Sequence, residues 1–355
     1  MANLAHNLMA KNNKVDIIAV AKAAKVSPST VSRSFNHPDL VNPATRKKID
    51  RAVRKLGYIR NRAAQTIHGI RSGTVGLIVP TVDHAIFAEL IQSFAEAIEE
   101  MGFTILLASH GYDLEREYAL TRKMLEHRVD GMALIGLDHG EATYELLHQQ
   151  STPSVLLWNY GDNTRLPSIG ADNFKAGQMI GRYLLDLGHR DIATVFPNAD
   201  GNDRAADRFR GLMDVLASAG VNVATHWQKV APYSVAAAKE VVEDILSSAR
   251  LPTAIACGND VLAWGVLHAC ARQGIIVPDQ INVTGIGDFK GSREFEPSLT
   301  TVRIPARTIG AHAAQAISAI IKGEALSTDC SMEAPLELQP RSSCRRIGRV
   351  VARGV

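Results

Sequence analysis

Cysteine is scarce in this chain: four residues, at 257, 270, 330 and 344, none in a CxxC spacing. That argues against a structural zinc site or a disulfide scaffold and leaves free thiols in a reducing compartment. No apolar run approaches the roughly 18 residues of a membrane span. The opening MANLAHNLMAKNNK has no apolar segment of the signal-peptide kind. A cytoplasmic protein without membrane attachment is expected. The chain also lacks HExxH, GxxxxGKS/T and a nucleophile elbow. GIGDFKG places glycines at 285, 287 and 291, a GxGxxxG rather than a dinucleotide GxGxxG. The twelve histidines are scattered, with no pair beside a carboxylate. No catalytic residue, metal or cofactor is therefore expected.

The most telling shortage is of acid at the N-terminus. Residues 1–74 hold 14 Lys and Arg against three acids, a charge of +11, whereas the remainder holds 25 against 33, or −8. A basic segment on an acidic body is the layout of a polyanion binder. The rest is ordinary: 46% hydrophobic and 21% charged, in 355 residues that suggest two or three folding units.

Three short helices are expected inside the basic segment. Ile17, Val20, Ala21 and Ala24 form one apolar stripe. Ser27 suits an N-cap and Pro28 the first helical position of a second helix. That helix has Val31 and Phe35 on one face and Ser29, Ser32, Arg33 and Asn36 on the other. Asn42, Pro43 and Gly57 bracket a third, with Ile49, Ala52, Val53 and Leu56 inward. Two short helices joined by a tight turn make a helix-turn-helix, and the polar face of the second is its recognition surface. Pro28, Ser29, Thr30, Ser32, Arg33 and Asn36 are the candidate DNA contacts, Arg33 as a two-bond donor to guanine.

VAKAAKVSPSTVSRSFN and VNPATRKKIDRAVRKLGYIRNRAAQTI resemble the headpiece of the lactose-repressor (LacI/GalR) family of transcription regulators. The resemblance implies a hinge helix over residues 61–68 that orders on DNA and enters the minor groove, adding Asn61, Arg62, Ala64 and Ile67 to the contacts. Ile67 stands where the family usually has a wedging leucine, and Lys25 where it commonly has a turn glycine.

Beyond residue 73 the pattern changes. TVGLIVP, TILLAS, GMALIG, SVLLWN, IATVF, AIACG, NVTGIG and TTVRIP alternate with amphipathic stretches such as FAELIQSFAEAIEEMG. That alternation predicts an α/β fold of two doubly wound parallel-sheet lobes, with ligands at the carboxyl ends of the strands. GADNFKAGQMIGRYLLDLGHRDIA, LPTAIACGNDVLAWGV and GIGDFKGSREFEPSLTTVRIP resemble the family's effector core, itself similar to periplasmic sugar-binding proteins. GLDHGEAT looks most like the subgroup answering to gluconate and related sugar acids. The expected division is a flexible arm (1–13), the helix-turn-helix domain (14–59), hinge and linker (60–73), an effector-binding and dimerisation core (74–340) and a basic tail (341–355). Within the core, the N-lobe takes about 74–172 and 303–330 and the C-lobe about 173–302 and 331–340, with crossovers near 172, 302 and 331.

Strand ends nominate the effector shell: Asp83, Phe87, Trp158, Asn159, Asp172, Asn173, Phe174, Arg204, Arg208, Asn259, Asp260 and Asp288. Carboxylates and amides suit hydroxyls, and an aromatic face suits a pyranose ring. By resemblance Arg208, three residues before Gly211, grips the effector. Family members often carry acids where this chain has Asn159 and Gly287. The expected protein is a dimeric repressor, the effector a neutral sugar or glycoside first and a sugar acid second. The dimer follows from the two-fold symmetry of a palindromic operator. A sugar-binding protein without DNA function is the alternative.

Overall fold

In the computed structural model, residues 15–60, 71–83, 85–324 and 330–347 are described. The arm (1–13), the expected hinge with Asn61, Arg62, Ala64 and Ile67, and tail residues 348–355 lie outside them. The chain divides into two units, 1–72 and 73–355.

In the first unit α1 (Ile17–Ala24), α2 (Pro28–Asn36) and α3 (Pro43–Leu56) enclose Val20, Ala21, Ala24, Val31, Ile49 and Ala52. The Ser27 hydroxyl accepts the Thr30 N–H at 3.2 Å and Asn42 accepts that of Ala44 at 2.9 Å, each followed by a proline that has no N–H to orphan. Lys25 ends α1 at φ 55°, ψ 47°. This left-handed conformation explains why glycine suits the position, and costs a lysine roughly 1 kcal/mol.

The second unit holds two six-stranded sheets. In the first, β1 (Thr74–Val79), β2 (Thr104–Ser109), β3 (Gly131–Ile135), β4 (Ser154–Asn159), β5 (Ser168–Ala171) and β11 (Met332–Glu333) are all parallel, in the order β11-β5-β4-β3-β1-β2. In the second, β6 (Ile192–Phe196), β7 (Gln228–Val230), β8 (Ala254–Cys257), β9 (Asn282–Gly287), β10 (Thr300–Arg303) and β12 (Glu337–Gln339) run in the order β12-β10-β9-β8-β6-β7. Only β12 is antiparallel to its neighbour. The helices that concern the cleft are α4 (Ala85–Glu100), α5 (Leu114–Glu126), α6 (Glu141–Gln149), α7 (Asn173–Asp186) and α8 (Asp203–Ser218). The eight apolar runs are all strands; the short β5, β7, β11 and β12 carry too few apolar residues to announce themselves.

Two expectations need correction. The third passage between sheets falls at 334–336, not near 331, because Met332 and Glu333 still pair with Ile169 and Gly170 of the first sheet. Residues 341–347 are also no loose tail. The Ser343 hydroxyl donates to the Val283 carbonyl at 2.7 Å and accepts the Thr300 N–H at 2.8 Å, while the Cys344 thiol is buried against the same strand.

Candidate DNA-binding face and effector cleft

The outer face of α2 carries Pro28, Ser29 and Arg33 exposed, with Thr30, Ser32 and Asn36 half-buried. Ser27, Ser29 and Thr30 share short hydroxyl contacts of 2.8 Å at the helix start, where N–H groups and dipole favour an anion. Asn36 is held from two sides: its amide donates to the Ser32 hydroxyl at 3.3 Å and its carbonyl accepts from Arg60. The Arg60 guanidinium also lies 5.6 Å over Phe35. Among the described residues of this face, Arg33 is an exposed cation without an ion pair.

In the second unit, helices α7 and α8 cross so closely that a Cβ on Gly177 would strike the Arg208 carbonyl, and one on Gly211 that of Phe174. This approach aligns a polar chain along the strand ends. Asn159 donates to Asp203 and to Asp207, both at 3.0 Å, and accepts from Asn173 at 3.0 Å. Asn173 accepts from Arg208 Nε at 2.6 Å, and Arg208 Nη1 donates to the Gly258 carbonyl at 3.0 Å. The chain joins the lobes, since Asn159 ends β4 and the others lie on the far side of the crossover. Two more bonds clasp the lobes: Asp203 accepts the Leu137 N–H at 2.7 Å, and Arg204 donates to the Ile135 carbonyl at 3.2 Å. Gly136 between them sits at φ 110°, and a Cβ there would collide with the Arg204 guanidinium.

Three acids of the expected shell, Asp172, Asp260 and Asp288, are occupied. Asp260 is fully buried and accepts from Thr301 (2.6 Å), Ser292 (2.6 Å) and the Phe289 N–H (2.9 Å). Burial pushes its carboxyl up to about 6 against the pull of those donors. These bonds make it a brace within the C-lobe. Asn259 caps the following helix by accepting the Leu262 N–H at 3.0 Å. Asp288 is clamped by Arg341 at 2.6 Å and Arg303 at 2.7 Å. With Trp158 it lines a cavity of about 530 Å³. Trp158 stands at φ 80°, a costly conformation for a bulky residue, edge-on to Phe87 with ring centroids 5.6 Å apart. Phe174 is half-buried under the Arg210 guanidinium at 5.5 Å. Asp172 caps α7 through the Lys175 N–H at 2.9 Å. Asp83 is exposed in the bend after β1 and shares no hydrogen bond with the group.

Sequence reasoning passed over Asp203, Asp207, His110, Tyr112 and Tyr233. Burial works to raise the Asp203 carboxyl, but Arg204, the Asn159 amide and the Leu137 N–H hold it below the ordinary carboxylate value. Burial lowers His110 despite nearby Glu117, and the same carboxylate lies 2.9 Å from His139 Nδ1. The fold therefore does set a histidine pair beside a carboxylate, where the scattered sequence positions predicted none. Burial raises the Tyr112 phenol, which Tyr233 pushes the same way while Arg204 and Arg208 oppose. A polar residue in each of two loops after strands was the available signal; only the fold brings those loops together.

A helix-turn-helix unit and a two-lobed α/β unit with a polar seam between its lobes define a ligand-responsive DNA-binding regulator. Residues 17–61 match the model described as bacterial regulatory proteins, lacI family, and residues 182–344 that of a periplasmic binding protein-like domain. The HTH-type transcriptional repressor PurR of Salmonella paratyphi B is 30% identical over 293 residues, 82% of this chain and 86% of the relative. The chain belongs to the lacI family of DNA-binding transcription regulators. Among solved structures, a Lacl family transcriptional regulator from Silicibacter pomeroyi superposes with a TM-score of 0.85 at 24% identity, covering 94% of this chain and 100% of its own. The transcription regulator GntR of Chromobacterium violaceum gives 0.72 at 28%, covering 76% and 98%. Among the described residues no helix is long and apolar enough to cross a membrane.

Proposed function

We propose that the protein is a cytoplasmic, dimeric repressor whose operator affinity is set by a small carbohydrate bound between the lobes. Ser29, Thr30, Ser32, Arg33 and Asn36 read the major groove, and Asn61, Arg62, Ala64 and Ile67 the operator centre. The exposed cation of Arg33 on the polar face of α2 carries the first assignment. Trp158, Asn159, Asn173 and Arg208 form the effector contacts. They lie where ligands of doubly wound sheets bind, and Asn159, Asn173 and Arg208 stand on a polar chain that links the lobes. The effector changes how tightly the lobes close, and closure repositions the paired headpieces, a coupling of typically about 1–3 kcal/mol. The relatives that match are transcription regulators, and this supports a binding protein and no enzyme. The deciding experiment is an operator-shift assay on the full chain and on a chain starting at residue 73. Loss of the shift only in the truncated chain is expected; an equal shift by both would overturn the proposal.

A further inference from the structure

The cleft has an imbalance between donors and acceptors. Arg204 and Arg208 are 4% and 1% exposed, and the Nη2 of each has no hydrogen-bond partner among the described residues. They stand four residues apart on α8, so their side chains share one helix face. Each cation acts on Tyr112, and Arg204 lowers Arg208 further, after burial as the main cause. Arg204 has the Asp203 carboxylate at 2.7 Å, but that carboxylate also serves Leu137 and Asn159. Among the described residues Arg208 hydrogen-bonds only neutral groups, the Asn173 amide and the Gly258 carbonyl, while the Asp260 carboxylate acts on it without a hydrogen bond. A buried guanidinium without a carboxylate hydrogen-bonded to it is costly, and a second cation four residues away adds to the cost. The Trp158 indole N–H is likewise buried without an acceptor among the described residues. Against these donors the buried carboxylates of the cleft are already engaged: Asp260 accepts from Thr301, Ser292 and the Phe289 N–H, and Asp288 pairs with Arg303 and Arg341.

We infer that the effector is an anionic sugar derivative whose oxyanion sits between Nη2 of Arg204 and Nη2 of Arg208. A neutral sugar brings hydroxyl donors that need carboxylates to accept them, whereas an oxyanion brings acceptors and charge together. This reverses the ordering suggested by residue types alone. It rests on the cleft being the effector site, and names the ligand class for it. Sugar acids and sugar phosphates share the chemistry.

The first test uses the full-length wild type and simple anions. At constant ionic strength, replacing chloride by millimolar acetate or inorganic phosphate should raise the melting temperature saturably, by a few degrees. Arg204→Gln and Arg208→Gln should abolish the rise. The larger response of the two anions tells carboxylate from phosphate. Absence of a rise in the wild type overturns the inference whatever the variants do. The second test is calorimetric titration with matched sets: D-glucose, D-gluconate and D-glucose 6-phosphate, then the galactose series. Binding of a charged member with at least tenfold loss in Arg204→Gln supports the inference. Binding of a neutral member that Asn173→Ala abolishes would overturn the anion while keeping the cleft. Charged binding untouched by every variant would remove the cleft as well.

Discussion

The acids and the arginines of the cleft come from the same strand-end loops, yet the fold treats them in opposite ways. Asp260 and Asp288 are each held by several donors from within their own lobe. Arg204 and Arg208 keep a donor each, inside the protein. The headpiece repeats the contrast at smaller scale: Asn36 is held by Ser32 and Arg60, whereas Arg33 points its charge outward. A polar residue near a ligand site is therefore a candidate contact only after its internal partners are counted, because a satisfied buried group has nothing left to offer.

Breaking an engaged group should harm the fold most. Asp260→Ala strands three buried donors and should cost about 3–5 kcal/mol of stability in urea unfolding. A loss under about 1 kcal/mol would return Asp260 to the effector contacts. Removing a side chain that keeps an uncommitted donor should harm the response more than the fold. Arg208→Ala should lower effector affinity at least tenfold, by about 1.5–3 kcal/mol, and leave operator affinity without effector unchanged. A lower melting temperature together with weak operator binding would make Arg208 a brace instead. On the headpiece, Arg33→Ala should weaken operator binding by about 1–3 kcal/mol and relax preference at one base position. Equal loss on every DNA sequence would mark a phosphate contact.

The smallest effect sharpens the contrast through pH. His189 is an engaged group, with Thr253 at one ring nitrogen and Asn282 at the other, and burial takes it down to about 4. A depressed histidine contributes stability fully above its ordinary value near 6.5, and that contribution is lost as pH falls from there toward 4. The slope is at most about 1.4 kcal/mol per pH unit. Asp260, raised to about 6, titrates in the opposite sense over the lower part of that window. The measurement is accordingly a difference: stability of wild type minus His189→Gln at pH 7 and pH 5. A difference that does not shrink at pH 5 would mean the ring is not held neutral.

Much was legible in one dimension. Ser27, Pro28, Asn42 and Gly57 punctuate the headpiece helices because capping depends on residues within three or four positions. The long apolar runs announced their strands for the same local reason. Illegible were β11, two residues long and held only by its partner β5, and the docking of Ser343 on Val283 across 60 positions. In the cleft, residue type nominated Asn173 and Arg208, but Asp203 looked like one acid among many.

The sequence alone determined the class of protein, the helix-turn-helix and the alternation that builds two parallel lobes, since local periodicity and capping carry that information. Only the tertiary structure decided which cleft groups are committed. A carboxylate's hydrogen bonds are made in space: Thr301 lies 41 positions from Asp260, and Arg341 lies 53 from Asp288. No spacing rule connects such partners. Burial then multiplies the consequence, because a charge costs little in water and much inside, so the same residue types can end as braces or as binding groups.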